Sequence, residues 1–315
     1  MQIVFVDEST ITLDDMDFSC MHKLGDYVSF PNSTEPEIID RCSDADYLIA
    51  NKALMTRNII ENLPKLRMIA VIATGYNNVD LAAAKKKGVT VCNVAGYAAA
   101  TVPQHTFALI LNLATAAYKY NADVEAGKWH KATSFTLLTY PTFELAGKTI
   151  GIIGFGTIGR NVARIAEGFN MKILANDAFG INDPRYPNTD LDTIYKESDV
   201  ITVHCPLTDE TKNLIDAATI AKMKSNVLLI NTARGGVVDE QALADALNSG
   251  RIAGAGFDVL TVEPPKDGNV LLGAKNLILT PHSAWSTLEA RQILVDESAR
   301  NIEAHSQDNP RNVVA

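Results

Sequence analysis

Short apolar runs alternate with amphipathic stretches along the chain. In the amino-terminal third, this alternation predicts five strands with helices between some of them, and it favours a parallel sheet covered on both faces. We interpret this region as a small α/β domain of its own. The predicted strands are Gln2–Val6, Asp26–Phe30, Asp46–Ala50, Met68–Ile72 and Val89–Asn93, and the predicted helices are Thr56–Leu63 and Val79–Lys87.

The stretch Thr101–Tyr120 has the longest uninterrupted helical pattern in the sequence. Thr101 is a suitable N-cap, and Pro103 fits the first turn, where a missing N–H costs nothing. We therefore expect one long helix that leads from the first domain into the next. The following segment, Asn121–Phe143, has no clear periodicity and contains Trp129; it is either an oligomer contact or an irregular surface loop.

Beyond residue 145 the pattern predicts a second α/β domain. A glycine-rich turn after its first strand and helical crossovers between strands are typical of a doubly wound, Rossmann-type parallel sheet. No strand follows the last helix, Thr287–His305, so this helix is expected to return to the first domain. We predict a flavodoxin-like substrate domain from residues 1–98 and 286–315, with a Rossmann domain, 99–285, inserted in it. The strands predicted for the second sheet are 149–153, 171–176, 199–203, 226–231, 253–258 and 277–280.

The glycine-rich turn predicts a dinucleotide site. Gly154, Gly156 and Gly159 are spaced G-x-G-x-x-G, which permits a tight turn, close approach of a pyrophosphate, and close packing of helix on strand. Asp177 ends the next strand, where a carboxylate accepts hydrogen bonds from a ribose 2′-hydroxyl and repels a 2′-phosphate. We therefore expect NAD as the cofactor, in preference to NADP.

Ligands of an open parallel sheet bind outside the carboxyl ends of its strands. Reduction of a carbonyl by NADH requires a proton donor, and His282 is the histidine at such an end. Glu263 can fix the imidazole tautomer, and Arg234 can grip a substrate carboxylate bidentately. These three residues predict the reduction of a 2-oxo acid. The other candidates at strand ends are Asp177, Cys205, Pro206 and Asp258.

Composition limits the partners. The formal net charge of −9 argues against a nucleic acid or an anionic membrane surface, and no apolar run is long enough to span a bilayer. The four cysteines have neither paired nor metal-ligand spacing, which indicates incidental thiols in a reducing cytoplasm and no metal site.

Several motifs, in this order, resemble the D-isomer-specific 2-hydroxyacid dehydrogenase family. The resemblance covers essentially the whole chain and implies Arg234, Glu263 and His282 as the catalytic residues. The motifs are Ala73-Thr74-Gly75-Tyr76-Asn77-Asn78-Val79-Asp80, the glycine fingerprint, His204-Cys205-Pro206-Leu207-Thr208, Asn231-Thr232-Ala233-Arg234-Gly235-Gly236, Asp258 through Glu263-Pro264-Pro265, and Thr280-Pro281-His282-Ser283-Ala284-Trp285.

The resemblance also implies contacts that the pattern alone does not give. Backbone N–H groups around Gly75 and Tyr76, next to Thr74, would hold the substrate carboxylate, Tyr97 would lie near the substrate, and the domains would close over it. Asp258 would meet the nicotinamide carboxamide. Family members are usually homodimers joined through the second domain, which favours an oligomer contact around Trp129. The other implied cofactor contacts are Thr157, Ile158, Asp177, Pro206, Thr211, Thr232 and Ala233.

Within the family, the sequence is most similar to glycerate dehydrogenases, also called hydroxypyruvate reductases. Asn51-Lys52 stands where phosphoglycerate-specific relatives usually carry arginine, so a phosphate clamp is not expected. Pro103-Gln104-His105 replaces the common Ala-Glu-His. The leading expectation is reduction of hydroxypyruvate to D-glycerate. D-lactate or a bulkier D-2-hydroxy acid remains an alternative, as does an NAD-sensing binding module without turnover.

Overall fold

The computed structural model describes residues 1–315 and divides into two compact units. The first unit comprises Met1–Ala98 and Trp285–Ala315, and the second comprises Ala99–Ala284. The return to the first unit begins one residue earlier than the sequence boundary of 286.

The first unit contains a five-stranded parallel sheet in the order β2-β1-β3-β4-β5, which is the flavodoxin-like order. The helices α1 and α2, of six and seven residues, were not predicted, although α3 and α4, which have the same lengths, were. The strands are β1 Gln2–Phe5, β2 Asp26–Ser29, β3 Tyr47–Ala50, β4 Met68–Val71 and β5 Thr90–Cys92. The helices are α1 Ser19–Leu24, α2 Glu35–Arg41, α3 Arg57–Asn62, α4 Leu81–Lys87 and α11 Leu288–Ser306.

The second unit contains a six-stranded parallel sheet in the order β11-β10-β9-β8-β6-β7. The chain turns from one side of β6 to the other between β7 and β8, so the turn after β6 lies at the topological switch point. The strands are β6 Thr149–Ile153, β7 Lys172–Asn176, β8 Val200–Val203, β9 Leu228–Asn231, β10 Gly254–Phe257 and β11 Leu277–Leu279. The helices are α5 Thr101–Thr115, α6 Ala117–Glu125, α7 Thr157–Gly168, α8 Leu191–Glu197, α9 Ala217–Lys222 and α10 Glu240–Ser249.

The central strands are buried throughout because helices cover both faces of each sheet. Every residue of β8, β9 and β10 is buried. Helix α5 packs closely on the second sheet because Gly256 has no side chain. A Cβ on Gly256 would lie 2.9 Å from Cβ of Leu109. Helix α5 is therefore packed against β9 and β10, whose carboxyl ends lead into the candidate catalytic residues.

The prediction of one helix over Thr101–Tyr120 is wrong. The helix stops at Thr115, and α6 begins at Ala117 after Ala116, which has a left-handed backbone with φ 53°. Thr101 is not the N-cap. It is the first helical residue, and its hydroxyl donates a hydrogen bond of 2.9 Å to the backbone oxygen of Ala284. The longest helix is α11, with 19 residues.

No helix in the structure combines the length and apolar character needed to span a membrane. All four cysteines are free thiols, with Cys42 and Cys92 buried and Cys20 and Cys205 partly buried.

Candidate functional site

The three fingerprint glycines are required for three different reasons. Gly154 has φ 92°, and a Cβ there would lie 2.5 Å from the backbone nitrogen of Cys205, so the turn after β6 presses against the end of β8. A Cβ on Gly159 would lie 2.3 Å from the backbone oxygen of Gly154. Around Gly156 there is open space. Gly156 occupies the N-cap position of α7, and no side chain there accepts a hydrogen bond from the first N–H groups of the helix. Open space at uncapped backbone N–H groups fits a pyrophosphate.

Asp177 lies directly after β7, beside the glycine turn. Its Oδ2 accepts a hydrogen bond of 2.9 Å from the backbone N–H of Phe155, and its Oδ1 accepts one of 3.0 Å from that of Phe179. Each carboxylate oxygen can accept more than one hydrogen bond. The carboxylate therefore both fixes the turn and retains acceptor capacity for ribose hydroxyls.

The remaining residues predicted to touch the cofactor follow the same strand ends. Thr211 donates its hydroxyl to the backbone oxygen of Pro206 at 2.6 Å, which closes the loop after β8. Burial raises the pKa of the Cys205 thiol to about 11, so it is a neutral lining group. Thr232 is buried, and its hydroxyl already pairs with that of Thr106 on α5 at 3.0 Å. The others are Thr157 and Ile158, at the start of α7, and Ala233, after β9.

His282 and Glu263 form a hydrogen-bonded pair. Nδ1 of His282 lies 2.6 Å from Oε2 of Glu263, and Oε1 of Glu263 accepts a hydrogen bond of 2.7 Å from the backbone N–H of Leu260. Burial opposes ionisation of Glu263. The hydrogen bonds from His282 and Leu260 and the nearby charge of Arg234 outweigh burial, so the pKa of Glu263 lies below its ordinary value. The pair thus consists of an ionised carboxylate on a histidine.

Arg234 is brought to this pair by the glycine that follows it. A Cβ on Gly235 would lie 2.0 Å from the backbone carbon of Leu260, so only glycine lets the two loops approach this closely. The exposed guanidinium of Arg234 donates one hydrogen bond, of 2.7 Å, from Nη1 to the backbone oxygen of Ala233. The second unit therefore brings together the three residues that the sequence predicted to be catalytic.

Asp258 is 1% exposed, and its carboxylate holds the turn that carries His282. It accepts hydrogen bonds from the Thr280 hydroxyl at 2.6 Å and from the backbone N–H groups of Ser283 and Ala284 at 2.9 and 2.8 Å. The backbone N–H of His282 donates to the backbone oxygen of Asp258 at 2.8 Å. The expected contact of Asp258 with the nicotinamide stays a prediction, whereas its positioning contacts were not foreseen.

In the first unit, the predicted substrate residues lie in loops after β4 and β5. The hydroxyl of Thr74 donates to the backbone oxygen of Val94 at 2.9 Å, which ties the two loops together. Gly75 and Tyr76 follow in the same loop, and Tyr76 is 36% exposed. Tyr97 packs edge-on against Trp285 with ring centroids 6.3 Å apart.

Asp7 is a loop-organising residue that the sequence interpretation missed. Its carboxylate accepts hydrogen bonds from the backbone N–H groups of Asn51, Lys52 and Ala53 at 2.9, 2.6 and 2.7 Å. Lys52 then lies over the ring of Trp285, 5.7 Å from its centroid. Asp7 lies two residues after the end of β1, so the strand-end rule applied to the second sheet would have found it in the first.

Comparisons with known proteins extend over the whole chain. Residues 107–284 match the family model described as "D-isomer specific 2-hydroxyacid dehydrogenase, NAD binding domain". The glycerate dehydrogenase of Methylorubrum extorquens is 46% identical over 315 residues, covering 99% of this chain and 98% of the relative. The hydroxypyruvate reductase of Blautia hydrogenotrophica is 40% identical over 322 residues, covering 100% and 99%. The D-lactate dehydrogenase of Aquifex aeolicus, solved with NAD and lactic acid, is 28% identical with a TM-score of 0.79, covering 98% and 96%.

Proposed function

The chain belongs to the D-isomer-specific 2-hydroxyacid dehydrogenase family, and we propose that it reduces hydroxypyruvate to D-glycerate with NADH. It is an NAD-dependent oxidoreductase whose second unit is the NAD-binding domain. The choice of substrate is supported by the two relatives that bear the names glycerate dehydrogenase and hydroxypyruvate reductase. The observation that carries the chemistry is the 2.6 Å contact between His282 and Glu263 beside Arg234.

In this proposal His282 is the proton donor. Bound NADH supplies the hydride that adds to the carbonyl carbon of the substrate. Glu263 engages Nδ1 of the imidazole, which assigns Nε2 to proton transfer to the carbonyl oxygen. In the oxidative direction the same nitrogen accepts the proton.

Arg234 orients the substrate. One of its N–H groups is used by Ala233, and the remaining donors of the planar guanidinium can grip the carboxylate of a 2-oxo acid and polarise the adjacent carbonyl. We assign the backbone N–H groups of Gly75 and Tyr76, together with Thr74 and Tyr97, as the substrate residues of the first unit.

The cofactor preference follows from Asp177. A carboxylate after β7 accepts hydrogen bonds from the ribose hydroxyls of NAD and repels the 2′-phosphate of NADP. We therefore propose NADH over NADPH. The Asp177 carboxylate is fixed by the N–H groups of Phe155 and Phe179, so it cannot easily turn away from an added phosphate.

Purified protein assayed with NADH and a panel of hydroxypyruvate, glyoxylate, pyruvate and a branched 2-oxo acid tests the proposal. We expect the highest kcat/KM with hydroxypyruvate, and a lower value when NADPH replaces NADH. Preference for pyruvate or the branched acid would refute the substrate. No turnover on any of them would favour a binding module, which NADH titration alone would then reveal.

We also propose a homodimer formed through the second unit, in the cytoplasm. After α6 the chain presents Phe135 and Leu138, each 90% exposed, in a segment braced by a 3.0 Å hydrogen bond from the Tyr140 hydroxyl to Asp123. Between α5 and α7 lies an apolar groove of about 690 Å³, lined partly by Phe107. In a two-fold dimer, the exposed apolar side chains of one copy can pack into the apolar groove of the other copy, and the same contact occurs twice. The four free thiols are consistent with a reducing compartment.

A further inference from the structure

A second histidine stands behind the turn that carries His282. His105, on α5, is 23% exposed, and its Nε2 lies 3.0 Å from the hydroxyl oxygen of Thr280 and 3.6 Å from Oδ1 of Asp258. His105 is not among the residues proposed to bind NADH, bind the substrate or transfer the proton. A polar side chain that reaches a buried carboxylate beside a catalytic residue requires a physical account.

The donors in this group can be assigned from the distances. The Thr280 hydroxyl has one proton, and its shortest contact is the 2.6 Å one to Oδ1 of Asp258, which is a charge-assisted hydrogen bond. The hydroxyl oxygen is then an acceptor for His105, whose Nε2–H donates to it at 3.0 Å. Hydrogen bonds therefore run in one direction, from His105 to Thr280 to Asp258.

The far end of this chain is the backbone that carries His282. The Asp258 carboxylate accepts the N–H groups of Ser283 and Ala284, and His282 has a left-handed backbone with φ 53°. A non-glycine residue in that conformation costs about 1 kcal/mol and persists only where its surroundings enforce it. The orientation of the Asp258 carboxylate therefore sets the position of His282.

The same face of α5 holds the turn at two places. Thr101 and His105 are four residues apart, which puts them on one side of the helix. Thr101 donates to the backbone oxygen of Ala284, at the end of the turn, and His105 donates to Thr280, at its start. Both bonds come from an element that is itself packed against β9 and β10.

We propose that His105 is a positioning residue: it orients the Thr280 hydroxyl and the Asp258 carboxylate and thereby holds His282 in place for proton transfer. The proposal rests on the proposed role of His282 as the proton donor. In the proposed role, His105 makes no contact with the substrate or the cofactor. It acts only through the hydrogen-bond chain.

Two pairs of variants test the chain by kinetics. His105→Leu removes the N–H donor to Thr280, and Thr280→Val removes the hydroxyl that links His105 to Asp258. Each should lower kcat by about 10- to 100-fold, as a small misplacement of a reacting group does, while NADH still binds. His105→Gln, which keeps a donor near the Nε2 position, and Thr280→Ser should stay within about threefold of the wild type. The double variant of Leu and Val should be no slower than either single variant, because both break one chain.

Amide hydrogen exchange followed by mass spectrometry gives a readout that needs no turnover. Peptides that contain residues 280–285 should exchange faster in His105→Leu than in the wild type, and at the wild-type rate in His105→Gln and in the matched control His22→Leu on the exposed surface of the first unit. If no 2-oxo acid is reduced, the proposed function fails, while this measurement still decides the positioning role. Wild-type kcat and exchange in His105→Leu would overturn the proposal. So would equal losses in the Leu and Gln variants, because the shape of the side chain would then matter and its N–H would not.

Discussion

At the scale of single residues, the three fingerprint glycines separate binding from folding. Gly156→Ala places a Cβ in the open space where a pyrophosphate fits, at an ordinary φ of −75°. NADH should then bind about 10- to 100-fold more weakly, as expected when charge-assisted hydrogen bonds are lost, with Tm almost unchanged. Gly159→Ala drives a Cβ into the Gly154 carbonyl, so Tm should fall by about 3–10 °C.

Isothermal titration with NADH and thermal unfolding of both variants give the comparison. Equal Tm losses in the two variants would mean that Gly156 is structural after all. Unaltered NADH affinity in Gly156→Ala would remove the start of α7 from the cofactor site.

His282 provides the direct test of the chemistry. His282→Ala should lower kcat by about 10²–10⁴-fold, the usual contribution of a general acid, while NADH still binds. Stopped-flow measurement of NADH oxidation, together with fluorescence titration of NADH, separates the two effects. If kcat were unchanged, another group would have to supply the proton.

Glu263 gives a prediction about pH. Its pKa is lower in the folded protein than its ordinary value, through the His282 hydrogen bond and other partners that outweigh burial. The carboxylate therefore adds stability at pH values above its unfolded pKa of about 4.3, and this contribution is lost as the pH falls through the lower folded pKa. The wild type should be more stable than Glu263→Gln at pH 7, and the gap should shrink below about pH 4. Urea unfolding at both pH values measures it; a gap that widens in acid contradicts the assignment.

At the scale of elements, the start of α5 is a place where the structure differs from the sequence prediction, because Thr101 has a different role. Thr101 donates its hydroxyl to the buried backbone oxygen of Ala284 instead of capping the helix. Thr101→Val leaves that carbonyl without its donor, which should cost about 1–3 kcal/mol in the free energy of unfolding. Thr101→Ser keeps the hydroxyl and should stay close to the wild type. Urea midpoints of the three proteins decide the matter, and a Val variant as stable as the wild type would contradict it.

The elements differ in how far the sequence could predict them. Buried strands such as β8 and β9 consist mostly of apolar residues, so they were found within one or two residues. The break between α5 and α6 was not found. It depends on the left-handed backbone of Ala116, a residue type that favours helix, and helical periodicity continues through it.

The candidate site divides in the same way. Arg234, Glu263 and His282 were predicted because parallel strands bring their carboxyl ends to one edge, which is a rule of topology. The partners of Asp258 were not predicted, since they depend on which way a buried carboxylate points. His105 was noted only within a motif, because its contact with Thr280 joins positions 175 residues apart.

At the scale of the whole molecule, the exposed apolar side chains after α6 predict assembly. Phe135 and Leu138 expose nearly all of their surface, which is unfavourable in water unless a partner covers them. Light scattering after size exclusion should give twice the chain mass of 34.1 kDa. The double variant Phe135→Ser and Leu138→Ser should give the monomer mass, because the contact loses its apolar anchors. Leu13→Ser, at a residue of the first unit that is 81% exposed, is the matched control and should remain dimeric. A wild-type monomer, or a dimer that survives the double substitution, would show that this segment does not join two copies of the chain.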